Sequence, residues 1–392
     1  MTAKTAVLST IFSLVSLAQA GREGLEGKLT HDLRSSSVGQ TDEVDVVIRY
    51  RESGSREGRG RWKEVGMGAA RVRRSELQRL AQDPDVEYIA PDRTVGATHF
   101  PPWMYMEAMG YRFAGMPVPD KPSHTGNGIF VAVIDSGVNS DAYLNAAPGC
   151  TVGRVVHHRN FVAGETTTAD VYGHGTHIAG IIGGDGTCLG GGTATPLNAV
   201  APKVKIVNLR VLDSRGKGTD SAVIAAIDYA IKLRKAGTFP IRVINLSLGR
   251  PVRESFRNDP LCQAVEKAWK AGIVVVVAAG NGGRDNRLGT DGYGTIGSPA
   301  NDPYVITVGA TRMVGHTGVE DDTVASYSSK GPTAVDHVMK PDLVAPGNVV
   351  YSRLNRSHYL VQSYLSNAVM VGVGGTSIGD MFLLSGTSMA AP

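Results

Sequence analysis

Three short stretches set an acid, an imidazole and a hydroxyl beside glycine: VAVIDSG with Asp135, GHGTHIAG with His174 and SGTSMAAP with Ser388. A serine hydroxyl is a weak nucleophile until a neighbouring base takes its proton. An imidazole can be that base, and a carboxylate beside it fixes its tautomer and stabilises its charged form. Each stretch alone is ordinary, because a carboxylate after a strand often caps a turn and a histidine beside glycine is often structural. Together, in the order Asp, His, Ser, they are the parts of a site for nucleophilic acyl transfer.

Two other chemistries compete for these residues. His174 and His177 are three apart and could share a metal. The stretch lacks the glutamate that an H-E-x-x-H zinc protease uses as base, and no third ligand is evident. His177 therefore reads better as a packed helix residue, and no metal site is assigned. The run GIIGGDGTCLGGG suggests a phosphate cradle, but it follows a helical pattern rather than a strand. Dinucleotide binding needs the strand first.

The elements that must position these residues are legible as runs. IFVAVID, VKIVNLRVL, RVINLSL, IVVVVAA and YVITVGA are short, continuous and rich in Val and Ile. Strands buried on both faces look like this. Helical patterns lie between them. SAVIAAIDYAIKLRKAG ends in a basic turn and a glycine, and DPLCQAVEKAWKAG begins with Asp259 as cap and Pro260 in the first turn. The alternation predicts an α/β fold over 126–392, a doubly wound and mostly parallel sheet with helices on both faces. Chemistry in such sheets gathers at the carboxyl ends of the strands, where Asp135 falls.

Upstream the pattern differs. Residues 1–20 carry Lys4, an apolar run and AQA ending at Ala20, the parts of an export signal. Residues 21–95 read as a leader domain whose first part, 21–42, is expected to be a disordered lead-in. Within it EVDVVIRY reads as a strand, SELQRLAQ as a helix opened by a capping box of Ser75 and Gln78, and VEYIAPD as a closing strand. The result is a small α+β domain whose core is marginal alone. Residues 96–125 suit a linker and processing region.

Composition bounds the function. The 392 residues carry a net charge of +4 spread along the chain, which leaves no electrostatic footprint for nucleic acid. No later run is apolar and long enough for a membrane anchor. The 49 glycines point to many tight turns rather than a helical bundle. The three cysteines, Cys150, Cys188 and Cys262, lack metal-ligand spacing. Cys262 reads as a small core residue, while the sequence leaves open whether Cys150 and Cys188 pair.

The segments VAVIDSGVN, GHGTHIAG, VINLSLG, VVAAGN, YSSKGP, KPDLVAPG and SGTSMAAP resemble those of the subtilisin-like serine proteases. The order Asp, His, Ser is the one for which subtilisin is the established example. SELQRLAQDPDVEYIAPD resembles the end of that family's inhibitory propeptide. The resemblance implies Ser388 as nucleophile, His174 as general base and acid, and Asp135 as orienting carboxylate. It makes the Asn281 side-chain amide and the Ser388 backbone N–H the donors to the oxyanion. It likens Ser247, Leu248 and Gly249, and Ala278, Ala279 and Gly280, to the two walls of the pocket before the cut bond. Gly216 and Gly218 resemble another edge of the cleft. None of these wall residues is acidic, so an apolar or broad preference is expected rather than strict cleavage after Arg or Lys.

The expected product is a secreted (extracellular or periplasmic), monomeric serine endopeptidase acting on protein or peptide substrates. It is expected to be made as a precursor inhibited by its own propeptide. The chemistry requires no cofactor. Structural calcium is compatible with the family, although the loop after Ile182 shows no matching run of ligands. In the family the serine begins a long buried helix, whereas this sequence stops at Pro392. The alternative expectation is therefore a catalytically silent protease-like fragment or binding module.

Overall fold

The computed structural model describes residues 27–35, 43–51, 62–97, 125–139, 144, 153–184, 199–287, 289–312, 322–373 and 376–392. The signal stretch, Cys150, Cys188, most of the 96–125 linker and the glycine run beyond Gly184 lie outside the described residues. Contacts divide the chain into two units after Arg93.

In the smaller unit, β1 (Glu43–Tyr50), β2 (Met67–Arg73) and β3 (Val86–Pro91) form an antiparallel sheet in the order β2–β1–β3. Helices α1 (His31–Ser35) and α2 (Leu77–Gln82) belong to the same unit. Leu33 and Leu77 pack with Val46, Ile48, Val86 and Ile89 in its core. Two expectations fail here. Residues 21–42 are not all lead-in, because Leu29 bridges to Ile89 and α1 follows at once. Leu33 is buried in that core and Leu29 packs against it. Nor does Ser75 cap the helix. It lies inside a 3-10 turn, Arg74–Glu76, and the Glu76 carboxylate accepts from the Arg73 N–H at 3.2 Å.

The larger unit opens with β4 (Thr94–Ala97). Its main sheet contains β5 (Phe130–Asp135), β6 (Val155–Asn160) and β7 (Lys205–Arg210). After the short β8 (Lys217–Thr219) come β9 (Ile241–Leu246), β10 (Leu248–Gly249), β11 (Val274–Ala278) and β12 (Ile306–Arg312). The sheet ends with β13 (Thr323–Val324) and β14 (Leu343–Pro346). Its order is β13–β12–β11–β9–β5–β7–β6, with β14 also on β12. Every pairing is parallel except β12 with β13. The chain leaves β5 toward β7 on one side and reaches β9 on the other. The carboxyl end of β5 is thus a topological switch point, where such sheets open a crevice.

Helix α3 (His174–Gly183) is buried along all ten residues, so it runs through the interior rather than over it. Its Ile178 and Ile181 pack among Val131, Ile206 and Leu384. Helix α4 (Asp220–Lys235) is capped by Thr219, which the motif reading did not name, and α5 (Pro260–Lys270) carries the cap expected of it. Thr219 Oγ1 accepts from Ala222 N–H, and Asp259 Oδ1 accepts from Leu261 N–H at 3.0 Å.

A third sheet, unforeseen in the sequence, closes the unit. Strands β15 (Val350–Arg353), β16 (Ala368–Val373) and β17 (Thr376–Leu384) pair antiparallel in the order β15–β17–β16. Between β15 and β16 lies α6 (Tyr359–Ser363), and β17 delivers the chain to α7 (Thr387–Ala390).

Candidate active site

Asp135 sits at the switch point because the buried run Val131–Ile134 carries β5 directly there. Its carboxylate accepts from the Ser136 N–H at 2.7 Å. It also faces His174 Nδ1, at 2.8 Å through Oδ1 and 3.0 Å through Oδ2. A carboxylate can only accept here, so Nδ1 carries the proton and Nε2 is the basic nitrogen. His174 is the first residue of α3, and both side chains are buried. Gly175 allows that approach. A Cβ there would run into the Gly137 carbonyl and lie 3.1 Å from Asp135 Cβ.

Ser388 is the second residue of α7 and is buried. Its hydroxyl donates to the Ser247 carbonyl at 2.9 Å, and the Ser247 hydroxyl donates to the Ser388 carbonyl at 2.9 Å. Asn245 Nδ2 in turn donates to Ser247 Oγ at 2.9 Å. The nucleophile candidate and one cleft wall are therefore tied together.

Asn281 follows Gly280 beyond the end of β11. Its Oδ1 accepts from Thr387 N–H at 3.0 Å and from Thr387 Oγ1 at 3.1 Å. That fixes which end of the amide is which, and turns Nδ2 the other way. Asn281 Nδ2 is buried and meets no acceptor among the described residues. A buried donor of this kind is costly unless something arrives to accept from it. Thr387 was invisible to the motif reading, which took it only as a neighbour of Ser388.

A family model described as Subtilase family matches residues 126–392. This chain belongs to the subtilase family. It is 36% identical over 271 residues to serine protease AprX of Bacillus subtilis (strain 168), covering 68% of this chain and 55% of that protein. It is 30% identical over 363 residues to subtilisin E of the same organism, covering 91% of this chain and 81% of that one. A solved structure titled S41 psychrophilic protease superposes with a TM-score of 0.50 at 28% identity, covering 68% of this chain and 74% of the other.

In this subtilase one predicted wall, at Leu248 and Gly249, and the predicted cleft edge, at Gly216 and Gly218, flank β4. Strand β4 lies between β8 and β10 and is antiparallel to both. Val95 is opposite Gly218, Gly96 opposite Lys217 and Gly249, and Ala97 opposite Leu248. Ala97 N–H donates to the Gly216 carbonyl at 3.2 Å. The other predicted wall, Ala278 to Gly280, is held from behind. The Ala279 carbonyl accepts from Gly297 N–H at 3.0 Å, Ala278 ends β11, and Gly280 N–H donates to Thr387 Oγ1 at 3.1 Å.

Arg250, directly after β10, anchors that strand in a way the sequence did not announce. Its guanidinium donates to Asp220 at 2.9 Å and to Asp259 at 2.7 Å, at the starts of α4 and α5. His177 stands apart from the chemistry. Its Nε2 donates to the Phe382 carbonyl at 2.9 Å, and burial lowers its pKa to about 3. Among the described residues no group of three His, Cys, Asp or Glu side chains could hold a metal. No helix among them is long and apolar enough to cross a membrane.

Proposed function

We propose that this subtilase is a secreted serine endopeptidase made as a self-inhibited precursor. Ser388 Oγ attacks the carbonyl carbon of the scissile peptide while His174 Nε2 takes its proton. Asp135 keeps Nδ1 protonated and stabilises the imidazolium. The proton then passes to the leaving amine, and water hydrolyses the ester on Ser388 by the same route. Asn281 Nδ2 and the Ser388 backbone N–H receive the negative charge on the carbonyl oxygen. The observation that carries this reading is the buried 2.8 Å Asp135–His174 pair. Its partner feature is the Asn281 amide, oriented by Thr387 next to Ser388.

Strand β4 supports the precursor reading. A substrate in extended form would add a strand between β8 and β10, the place β4 occupies. While β4 is there, substrate is excluded. Self-cleavage is expected close to β4, between Thr94 and Phe100, and the leader of 21–95 then acts as a temporary inhibitor. The export signal of 1–20 directs the product out of the cell, where it cuts proteins and peptides with an apolar or broad preference.

The test uses purified wild-type and Ser388→Ala precursors, with products mapped by mass spectrometry. Wild type should be cut between Thr94 and Phe100 and Ser388→Ala should stay intact. Processing of the variant at the same place and rate would overturn self-cleavage. A serine-directed covalent probe should label Ser388 stoichiometrically. Inhibition by a chelator alone, with no label on Ser388, would overturn the serine mechanism.

A further inference from the structure

The segment between β15 and β16 touches the loop that precedes the general base. Tyr359 and Leu360, at the start of α6, donate their N–H groups to the carbonyls of Val171 and Tyr172, at 2.9 and 3.0 Å. His358, one residue earlier, is buried, with 1% of its surface exposed. Its side chain packs on Gly173, where an added Cβ would lie 3.0 Å from His358 Cβ.

The bonds around His358 determine its protonation. Nδ1 faces the Asn355 carbonyl at 3.0 Å, and Nε2 faces Asn139 Nδ2 at 2.9 Å. The carbonyl only accepts, so Nδ1 carries the proton. Asn139 is oriented independently, because its Oδ1 accepts from Asp170 N–H at 2.8 Å and its Nδ2 also donates to the Asp170 carbonyl at 3.0 Å. Asn139 Nδ2 must then donate to His358, whose Nε2 is an acceptor. The ring is the neutral Nδ1–H tautomer.

From Asp170 the chain of bonds runs to the start of α3. Its carboxylate accepts from Gly173 N–H at 2.7 Å, Thr176 N–H at 2.8 Å and Ser136 Oγ at 2.9 Å. Ser136 Oγ accepts from Gly175 N–H at 2.9 Å. Gly173 has no side chain to cap the helix, so Asp170 satisfies first-turn donors in its place. Asn139 also donates its own N–H to Thr176 Oγ1 at 3.0 Å. His174 is the residue these bonds surround.

We infer that His358 is a positioning residue for His174, acting as a neutral hydrogen-bond acceptor through Asn139 and Asp170. It rests on the reading of His174 as general base. Catalysis by a positioned base is sensitive to small displacements, while the cleft edges that bind substrate, β8 and β10, lie on other elements. The effect should therefore fall on kcat and leave KM nearly unchanged.

Two variants separate the acceptor from the local anchor. His358→Gln can place an oxygen where Nε2 is but cannot replace the Nδ1–H donor to Asn355. His358→Asn can keep that donor but loses the acceptor. The mature enzyme with His358→Asn should lose about tenfold in kcat with KM within about twofold, and His358→Gln should stay within about threefold in kcat. Adding Asn139→Ser to His358→Asn should cost little more than the worse single change, because both break one chain of bonds. Wild-type kcat in His358→Asn, an equal loss in His358→Gln, a change in KM alone, or additive losses would each overturn the inference. Should His358→Asn fail to fold, Asn139→Ser alone must show the kcat loss, and wild-type kcat there rejects it. His174→Ala serves as the separate control: substantial turnover in that variant would remove the general-base reading itself.

Discussion

At the scale of single residues, Thr387 decides which end of the Asn281 amide faces the chemistry, through its backbone N–H and its hydroxyl together. Its Oγ1 accepts from Gly280 N–H at 3.1 Å and donates to Asn281 Oδ1 at 3.1 Å. Asn281 Nδ2 is thereby aimed before any substrate arrives, and such preorganised donors act mainly on the transition state. Asn281→Ala should lower kcat by about 10²–10³ with little change in KM. Thr387→Val removes one of the two donors to Asn281 Oδ1 but keeps the backbone N–H, and should lower kcat by about two- to tenfold in the same manner. A rise in KM at unchanged kcat would make Asn281 a binding residue instead. His174→Ala and Ser388→Ala should each remove nearly all turnover, and the double variant should be little worse, because the two act as one unit. Steady-state kinetics on the mature enzyme checks all four.

Elements hold these residues by close approach and by buried charge. Helix α3 begins against the loop after β5, with Gly175 too near the Gly137 carbonyl for any side chain. Gly175→Ala should push the helix start away from Asp135. We expect at least about 10² loss in kcat, with destabilisation of about 1–3 kcal/mol from overpacking. Arg250 performs a different task for β10. Its guanidinium is buried between Asp220 and Asp259, which hold its pKa well above the ordinary arginine value despite the burial that opposes this. Arg250→Met would leave two buried carboxylates without their counter-ion and should cost about 3–5 kcal/mol in denaturant unfolding. A loss below about 1 kcal/mol would show that this clamp is dispensable.

For the whole molecule, two buried groups set opposite slopes in stability against pH. His177, held neutral by burial, has its pKa lowered to about 3 from 6.5. The unfolded chain binds the extra proton between those values, so this contribution is complete above pH 6.5 and is lost as pH falls toward 3. Asp302 goes the other way. Burial raises its pKa to about 7 from 3.8, the nearby Glu266 and Asp259 charges add to this, and the Tyr304 N–H and Lys340 oppose it. Its Oδ2 is buried and without a partner among the described residues. Its folded form holds the proton longer, so its contribution is present below pH 3.8 and is lost as pH rises through 7. Asp302→Asn should therefore flatten the stability curve between about pH 4 and 7, where wild type loses up to about 1.4 kcal/mol per pH unit from this group. Denaturation midpoints at four pH values decide it, and parallel curves for the two proteins would reject the assignment.

Much of this architecture was already determined by the sequence. Continuous Val and Ile runs specify strands buried on both faces, and the caps at Thr219 and Asp259 act within three residues. Such signals are local, so Asp135 at a strand end and His174 and Ser388 at helix starts were legible as positions. Other parts carried no local signal. Leu29 and Leu33 look like lead-in until the sheet offers them a face, and the four residues TVGA of β4 have no periodicity to show which two edges they join. Thr387 lies 106 positions from Asn281, and His358 lies 219 positions from Asn139. Which of many polar groups meet across such distances depends on how the sheets and helices pack. Only the closed core excludes water from Arg250, Asp170 and His358, and so makes each buried bond obligatory.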